Sequence, residues 1–211
     1  MPDNIIDRLT ETFRRFPGIG PRQARRFVYH LLRDERGTID RLVSDLRKLH
    51  VAVTQCDQCF RFYSSGRSTS SKICDLCVDP GRDQTSIMII EKDADLEAVR
   101  QSGTYQGQFF VFGGLVPILE KDSHSKIRLR ELTTIITKRL AENKPDKLKE
   151  VIVALAVNPE GDHTIEFLKQ TLGEFVKQGL KLSVLGRGLS TGTELEYSDA
   201  DTIKNALENR S

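Results

Sequence analysis

Cys56-Asp57-Gln58-Cys59 and Cys74-Asp75-Leu76-Cys77 form two C-x2-C pairs, separated by the fourteen residues from Phe60 to Ile73. Two residues between cysteines allow a tight turn that aims both thiolates at one ion. Two such knuckles complete the tetrahedral shell that Zn2+ prefers. With all four ligands cysteine, the site is closed, and its role is structural rather than catalytic. The segment between the pairs, SSGRSTSSK, is polar and loop-like. Here the metal is expected to supply much of the folding energy. The competing readings are four free thiols, or two disulfides in a secreted chain. The N-terminal stretch MPDNIIDRLTET has neither a long apolar core nor a small-residue cleavage site. A cytoplasmic location is therefore expected, where paired cysteines point to metal. No apolar run reaches the ~18 residues of a membrane span.

On the N-terminal side the pattern is helical. Ile5, Ile6, Leu9, Phe13 and Phe16 share one face of a first helix. Pro17-Gly18-Ile19-Gly20-Pro21 stops it and starts a second, with Pro21 suited to a first helical turn. Ala24, Phe27, Val28 and Leu31 give that helix an apolar stripe, and Arg22, Arg25, Arg26, Tyr29 and Arg33 its opposite face. A third helix is predicted to turn Ile39, Leu42, Val43, Leu46, Leu49 and Val53 inward. The net charge is only +2, but Thr12 to Arg33 holds six arginines and no acid. Glycines permit close backbone approach, and the N–H groups at the following helix start hold phosphate. Gly18, Gly20, Arg22, Arg25 and Arg26 are thus the candidate DNA-binding residues of a helix-hairpin-helix motif. An ordinary helical turn with solvated arginines is the plain alternative. Phosphate contacts carry no base information, so weak sequence preference and strong salt dependence are expected. Arg61, Arg67 and Lys72, with no acid from Phe60 to Ile73, offer a second DNA contact in the loop between the cysteine pairs.

On the C-terminal side strands and helices alternate. Ser86–Glu91, Gln108–Phe112, Val151–Val157 and Lys181–Leu185 read as strands, with Val151–Val157 buried on both faces. Asp95–Ser102, Lys126–Glu142 and Asp162–Lys177 read as helices between them, and Asp199–Asn209 as a last helix in an acidic tail. Such alternation implies an open, mostly parallel α/β sheet. Gly186-Arg187-Gly188 and Gly192 form a turn rather than a phosphate loop, since no G-K-[ST] follows. The four histidines are scattered without a partner pattern. Ser86-Ile87-Met88-Ile89-Ile90-Glu91 places a carboxylate at a strand end, where α/β folds set their chemistry. This stretch resembles the first motif of a Toprim domain, the fold of topoisomerases and primases. In that fold an Asp-x-Asp at a later strand end holds Mg2+. Here the later strand runs into Asn158-Pro159-Glu160-Gly161-Asp162, and an amide replaces the first metal carboxylate. Asp93 and Asp95 lie at a helix start, where acids complement the dipole.

The order of these parts resembles the bacterial recombination mediator family RecR. FPGIGPRQARRFVYHLL, the two cysteine pairs with DPGRDQ after them, IIEKDADLEAV and GLSTGTELEYSDADTIKNAL carry the resemblance. It implies a multidomain α and α/β chain. Residues 1–54 would be the helix-hairpin-helix domain, 55–79 a four-cysteine zinc finger, 80–178 the Toprim domain and 179–211 a C-terminal segment. It further implies Zn2+ on Cys56, Cys59, Cys74 and Cys77, no catalytic turnover, and ring-like homo-oligomers, dimer or tetramer, on duplex or gapped DNA. RecO-like and RecF-like partners, with Glu91 and Asp95 on the partner-binding face, complete the expectation. The cysteine pairs lie further apart than is usual in the family, and the Asn158–Asp162 stretch is shorter. The rival expectation is a Mg2+-dependent Toprim nuclease or topoisomerase-like enzyme acting through Glu91. A zinc-ribbon regulator is disfavoured by the lack of a base-reading helix motif.

Overall fold

The computed structural model describes residues 4–64, 72–118, 127–142, 145–186 and 200–208. Arg67, Arg187, Gly188, Gly192 and Asp199 lie outside the described residues. The chain divides into two compact units, Met1–Val53 and Thr54–Ser211.

The first unit is helical. Helix α1 spans Ile5–Arg14, α2 Pro21–Leu31 and α3 Arg36–Ala52. Asn4 caps α1, its Oδ1 accepting the Ile6 N–H at 3.0 Å. Helices α1 and α2 pack through Phe13 and Phe27, whose rings meet edge to face at 5.8 Å, over the buried Ala24 and Val28. Helix α3 departs from the sequence expectation: none of its residues is buried. Leu42, Val43, Leu46 and Leu49 are exposed, Leu46 by 59%. Helical periodicity establishes that a stripe exists; it does not supply the surface that covers it.

In the second unit a two-stranded sheet, β1 (Val53–Gln55) and β2 (Phe62–Ser64), brackets the first cysteine pair. The short helix α4 (Asp75–Val78) carries the second. Then follow β3 (Asp83–Ile90), α5 (Asp93–Ser102), β4 (Gly107–Val111), α6 (Leu129–Ala141), β5 (Glu150–Ala154), α7 (Pro159–Thr171), α8 (Gly173–Lys177), β6 (Lys181–Val184) and α9 (Ala200–Glu208). The strands form a parallel sheet in the order β4-β3-β5-β6, with Met88 opposite both Phe109 and Ile152. This is the expected α/β architecture, with β3 interior. One face buries Ile87, Ile89, Phe110, Val151 and Val153 against Leu132 and Ile136 of α6 and Ile165 and Leu168 of α7. The other buries Met88, Ile90, Phe109 and Val111 against Leu96 of α5.

Two expectations need correction here. Strand β5 alternates rather than being buried on both faces: Val151 and Val153 are buried, while Glu150, Ile152 and Ala154 are only partly covered. Glu150 uses that second face for ionic contacts, accepting from Ser183 Oγ at 2.6 Å and meeting Lys181 Nζ at 2.9 Å. Strand β5 also stops at Ala154, and Val157 is exposed. The helix expected over Asp162–Lys177 begins earlier, at Pro159, and breaks at Leu172 into α7 and α8.

Candidate functional site

The turn after Cys59 is built on an unusual backbone. Phe60 adopts φ 63, the one non-glycine residue with positive φ among those described. That conformation costs a bulky L-residue roughly 1–2 kcal/mol, and its surroundings hold it there. The Phe60 ring meets Phe110 edge to face at 5.4 Å, and the Arg128 guanidinium lies 5.5 Å over its centroid. The Phe60 N–H donates to Cys56 O at 3.0 Å, and the Cys56 N–H to Arg61 O at 2.9 Å. These bonds close the first knuckle.

The second pair begins α4. Cys74 donates its N–H to Cys56 Sγ at 3.3 Å, and the Gln58 N–H reaches the same sulfur at 3.4 Å. Cys56 and Cys77 sulfurs are 3.8 Å apart, and Cys59 and Cys74 sulfurs 3.5 Å. All four sulfurs lie within 4.8 Å of one another. A tetrahedron with Zn–S bonds of about 2.3 Å has edges of about 3.8 Å, so the cluster fits this ion. The thiols are close enough to perturb one another strongly. Contact with the Cys59, Cys74 and Cys77 thiols pushes Cys56 far below the ordinary thiol range. The same contacts, from Cys56 first, push Cys77 far above it. Four thiolates share such a space only around a positive ion. Cys56, Cys59 and Cys74 are buried; Cys77 is partly open, on a cleft of about 530 Å³ that also borders Asp57, Lys138, Arg139 and Glu142.

The knuckle is tied to the α/β sheet. Val111, on the edge strand β4, donates its N–H to Cys59 O at 2.8 Å. The Phe62 N–H donates to Asp93 Oδ1 at 2.7 Å. Arg61, read from sequence as a loop cation for DNA, is instead buried and ion-paired to Asp75 and to Glu97. The carboxylates that fix it lie 14 and 36 residues away. Local composition carries no sign of them. Lys72 is exposed.

At the carboxyl ends of β3 and β5 the acids are engaged locally. The Glu91 side chain is 19% exposed and 3.8 Å from Lys92 Nζ. Asp95 Oδ2 accepts the Lys92 N–H at 3.2 Å, capping α5. Asn158 caps α7, its Oδ1 accepting the Gly161 N–H at 2.8 Å. Among the described residues, the cysteine quartet is the group of three or more metal-ligating side chains that comes together. Glu91, Glu160 and Asp162 form no such group among them.

In the helical unit Gly18 takes φ 76, the left-handed value that lets the chain reverse before α2. Gly20 is the N-cap of α2, without a side-chain cap and with no acid in the first turn. A Cβ at Gly20 would meet nothing within 4 Å, so this face of the turn is open to a ligand. Arg22, Arg25 and Arg26 are all exposed. Arg25 meets Asp7 at 3.1 Å, while Arg22 and Arg26 form no ion pair among the described residues.

Comparison with known proteins agrees in all three parts of the chain. Residues 6–50 match the RecR helix-hairpin-helix family, 85–186 the Toprim domain and 188–211 the RecR C-terminal family. Recombination protein RecR of Legionella pneumophila strain Philadelphia 1 is 35% identical over 210 residues, covering 100% of this chain and 98% of the relative. That of Bdellovibrio bacteriovorus is 32% identical over 208 residues, covering 98% and 97%. That of Nocardia farcinica is 32% identical over 212 residues, covering 100% and 98%. With family matches in all three segments and relatives at 32–35% identity along nearly the whole length, the chain belongs to the RecR family of recombination proteins.

Proposed function

We propose that this chain is a non-enzymatic mediator of recombinational DNA repair that grips duplex or gapped DNA as an oligomeric clamp in the cytoplasm. The observation that carries the reading is the hairpin. An uncapped helix N-terminus, an open glycine and the exposed Arg22 and Arg26, without an ion pair among the described residues, converge on one exposed turn of a RecR-family chain. Helix N–H groups and guanidinium ions hold phosphate without reading bases. One such turn is a small footprint, and several copies on one DNA raise its residence without new contacts. The exposed leucine and valine stripe of α3 supports self-association as dimer or tetramer.

Zn2+ is the proposed ion of the cysteine cluster, held by Cys56, Cys59, Cys74 and Cys77, and it supplies cross-linking of the knuckle rather than chemistry on DNA. Glu91 and Asp95 are the proposed contact face for RecO-like and RecF-like partners. The engagement of Asp95 and Asn158 in helix caps supports a binding role for this crevice over Mg2+ catalysis.

The test is Arg22→Glu combined with Arg26→Glu. Duplex affinity at low salt should fall at least tenfold, the slope of log affinity against log salt should shrink by about two, and zinc content should stay the same. Unchanged affinity overturns the hairpin reading. Mg2+-dependent DNA cleavage abolished by Glu91→Ala overturns the non-enzymatic one.

A further inference from the structure

We infer that Arg61 is the charge-balancing residue of the metal centre and the pin that fastens it to α5. Four thiolates around one divalent ion leave a net charge of −2 in a cluster whose Cys56, Cys59 and Cys74 are closed to solvent. Buried charge is tolerated where an opposite charge and hydrogen bonds accompany it. Arg61 supplies that charge. It follows the first knuckle by two residues, and its side chain is 9% exposed. One end of the guanidinium binds Asp75, the residue after the ligand Cys74. The other end faces Glu97 Oε1 at 3.6 Å, on α5. Among the described residues the buried Nε–H has no acceptor, so the carboxylates hold the guanidinium through its two terminal nitrogens alone.

The pin is reinforced on the same helix. Asp93, the first residue of α5, accepts from the Phe62 N–H, so the residues just after the first knuckle are held at two points of α5 one turn apart. Loss of the ion removes the anionic centre that this buried cation accompanies, and with it part of what keeps Arg61 buried against α5. Metal occupancy and the order of α5 are thereby coupled through one side chain.

The inference rests on the zinc reading above, and the first measurement separates the two. If the full-length parent binds no zinc in competition with a chromophoric chelator, the zinc reading fails and this one with it. If the parent binds zinc, Arg61→Met should bind it about 10–100-fold more weakly, the range for removing an outer-shell partner. Arg61→Lys, which keeps the charge, should lose less than Arg61→Met. Glu97→Gln should keep zinc affinity within about threefold while amide exchange quickens across Asp93–Ser102, since it cuts the tie and spares the charge balance. Parental affinity in Arg61→Met, or equal losses in the Met and Lys variants, overturns the inference. Should Arg61→Met not fold, Arg61→Lys decides: affinity within about tenfold of the parent upholds charge balance, and a greater loss overturns it.

Discussion

Leu132 in α6 and Leu46 in α3 belong to apolar stripes of similar helical spacing, yet Leu132 is fully buried and Leu46 is 59% exposed. The α/β unit closes its own core: α6 and α7 cover one face of the sheet, and α5 covers part of the other. In the helical unit Thr10, Ala24 and Val28 are the buried residues. The difference teaches that the two units finish their apolar surfaces differently. One closes its own core beside the cysteine cluster, and the other leaves the α3 stripe open, a surface the proposed oligomer would cover.

The largest expected effect falls on the α/β unit. Cys59→Ser should bring zinc in a native mass spectrum from one per chain to none. Structural zinc contributes on the order of 10 kcal/mol at neutral pH in small cysteine sites, so the Thr54–Ser211 unit should lose its cooperative unfolding transition. Amide exchange of α1 and α2 should stay as in the parent; if it rises equally, the two units are not independent. Next comes the leucine pair. Leu132→Ala should destabilise the chain by about 2–5 kcal/mol in denaturant unfolding. Leu46→Asp with Leu49→Asp should leave helical content intact and lower the mass measured by light scattering. If those aspartates change neither mass nor stability, α3 is an ordinary solvated helix. Gly161→Ala should cost about 1–3 kcal/mol, because a Cβ there would stand 1.9 Å from Ala156 O, a backbone atom. The smallest effect distinguishes the two hairpin glycines. Gly18→Ala should cost about 1 kcal/mol through its left-handed backbone. Gly20→Ala should be neutral for stability while weakening duplex binding at low salt, as an open approach to phosphate requires.

Much of this organisation is legible in the order of residues. The cysteine spacing names a tetrahedral thiolate site, and the four sulfurs meet as that spacing requires. Strands β3, β4 and β6 start and stop within a few residues of their apolar runs, because β-branched and aromatic residues between turn signals leave little choice. Legibility ends where a residue's state is decided by a distant partner. The run Val151–Val157 is uniformly apolar, but its length as a strand is cut by Asn158-Pro159 turning into α7. The role of Arg61 depends on Glu97, on a helix whose position relative to the knuckle is created only by folding. Strands β1 and β2, three residues each, are too short to show a period of two.

The bond from the Val111 N–H to the carbonyl of Cys59 carries a consequence for solubility. Strand β4 is an outer strand of the sheet, and its sequence GQFFV, followed by Phe112, is the kind of apolar segment that recruits further strands when its edge is bare. Arg82, Arg128 and the Cys59 turn occupy backbone groups along that edge. The Cys59 turn thereby covers part of an edge that would otherwise be open to a further strand. Stripping the cysteine cluster of its ion with a chelator should give a protein that adds edge to edge into thioflavin-binding aggregates, and an Arg or Lys in place of Phe109 should slow that growth.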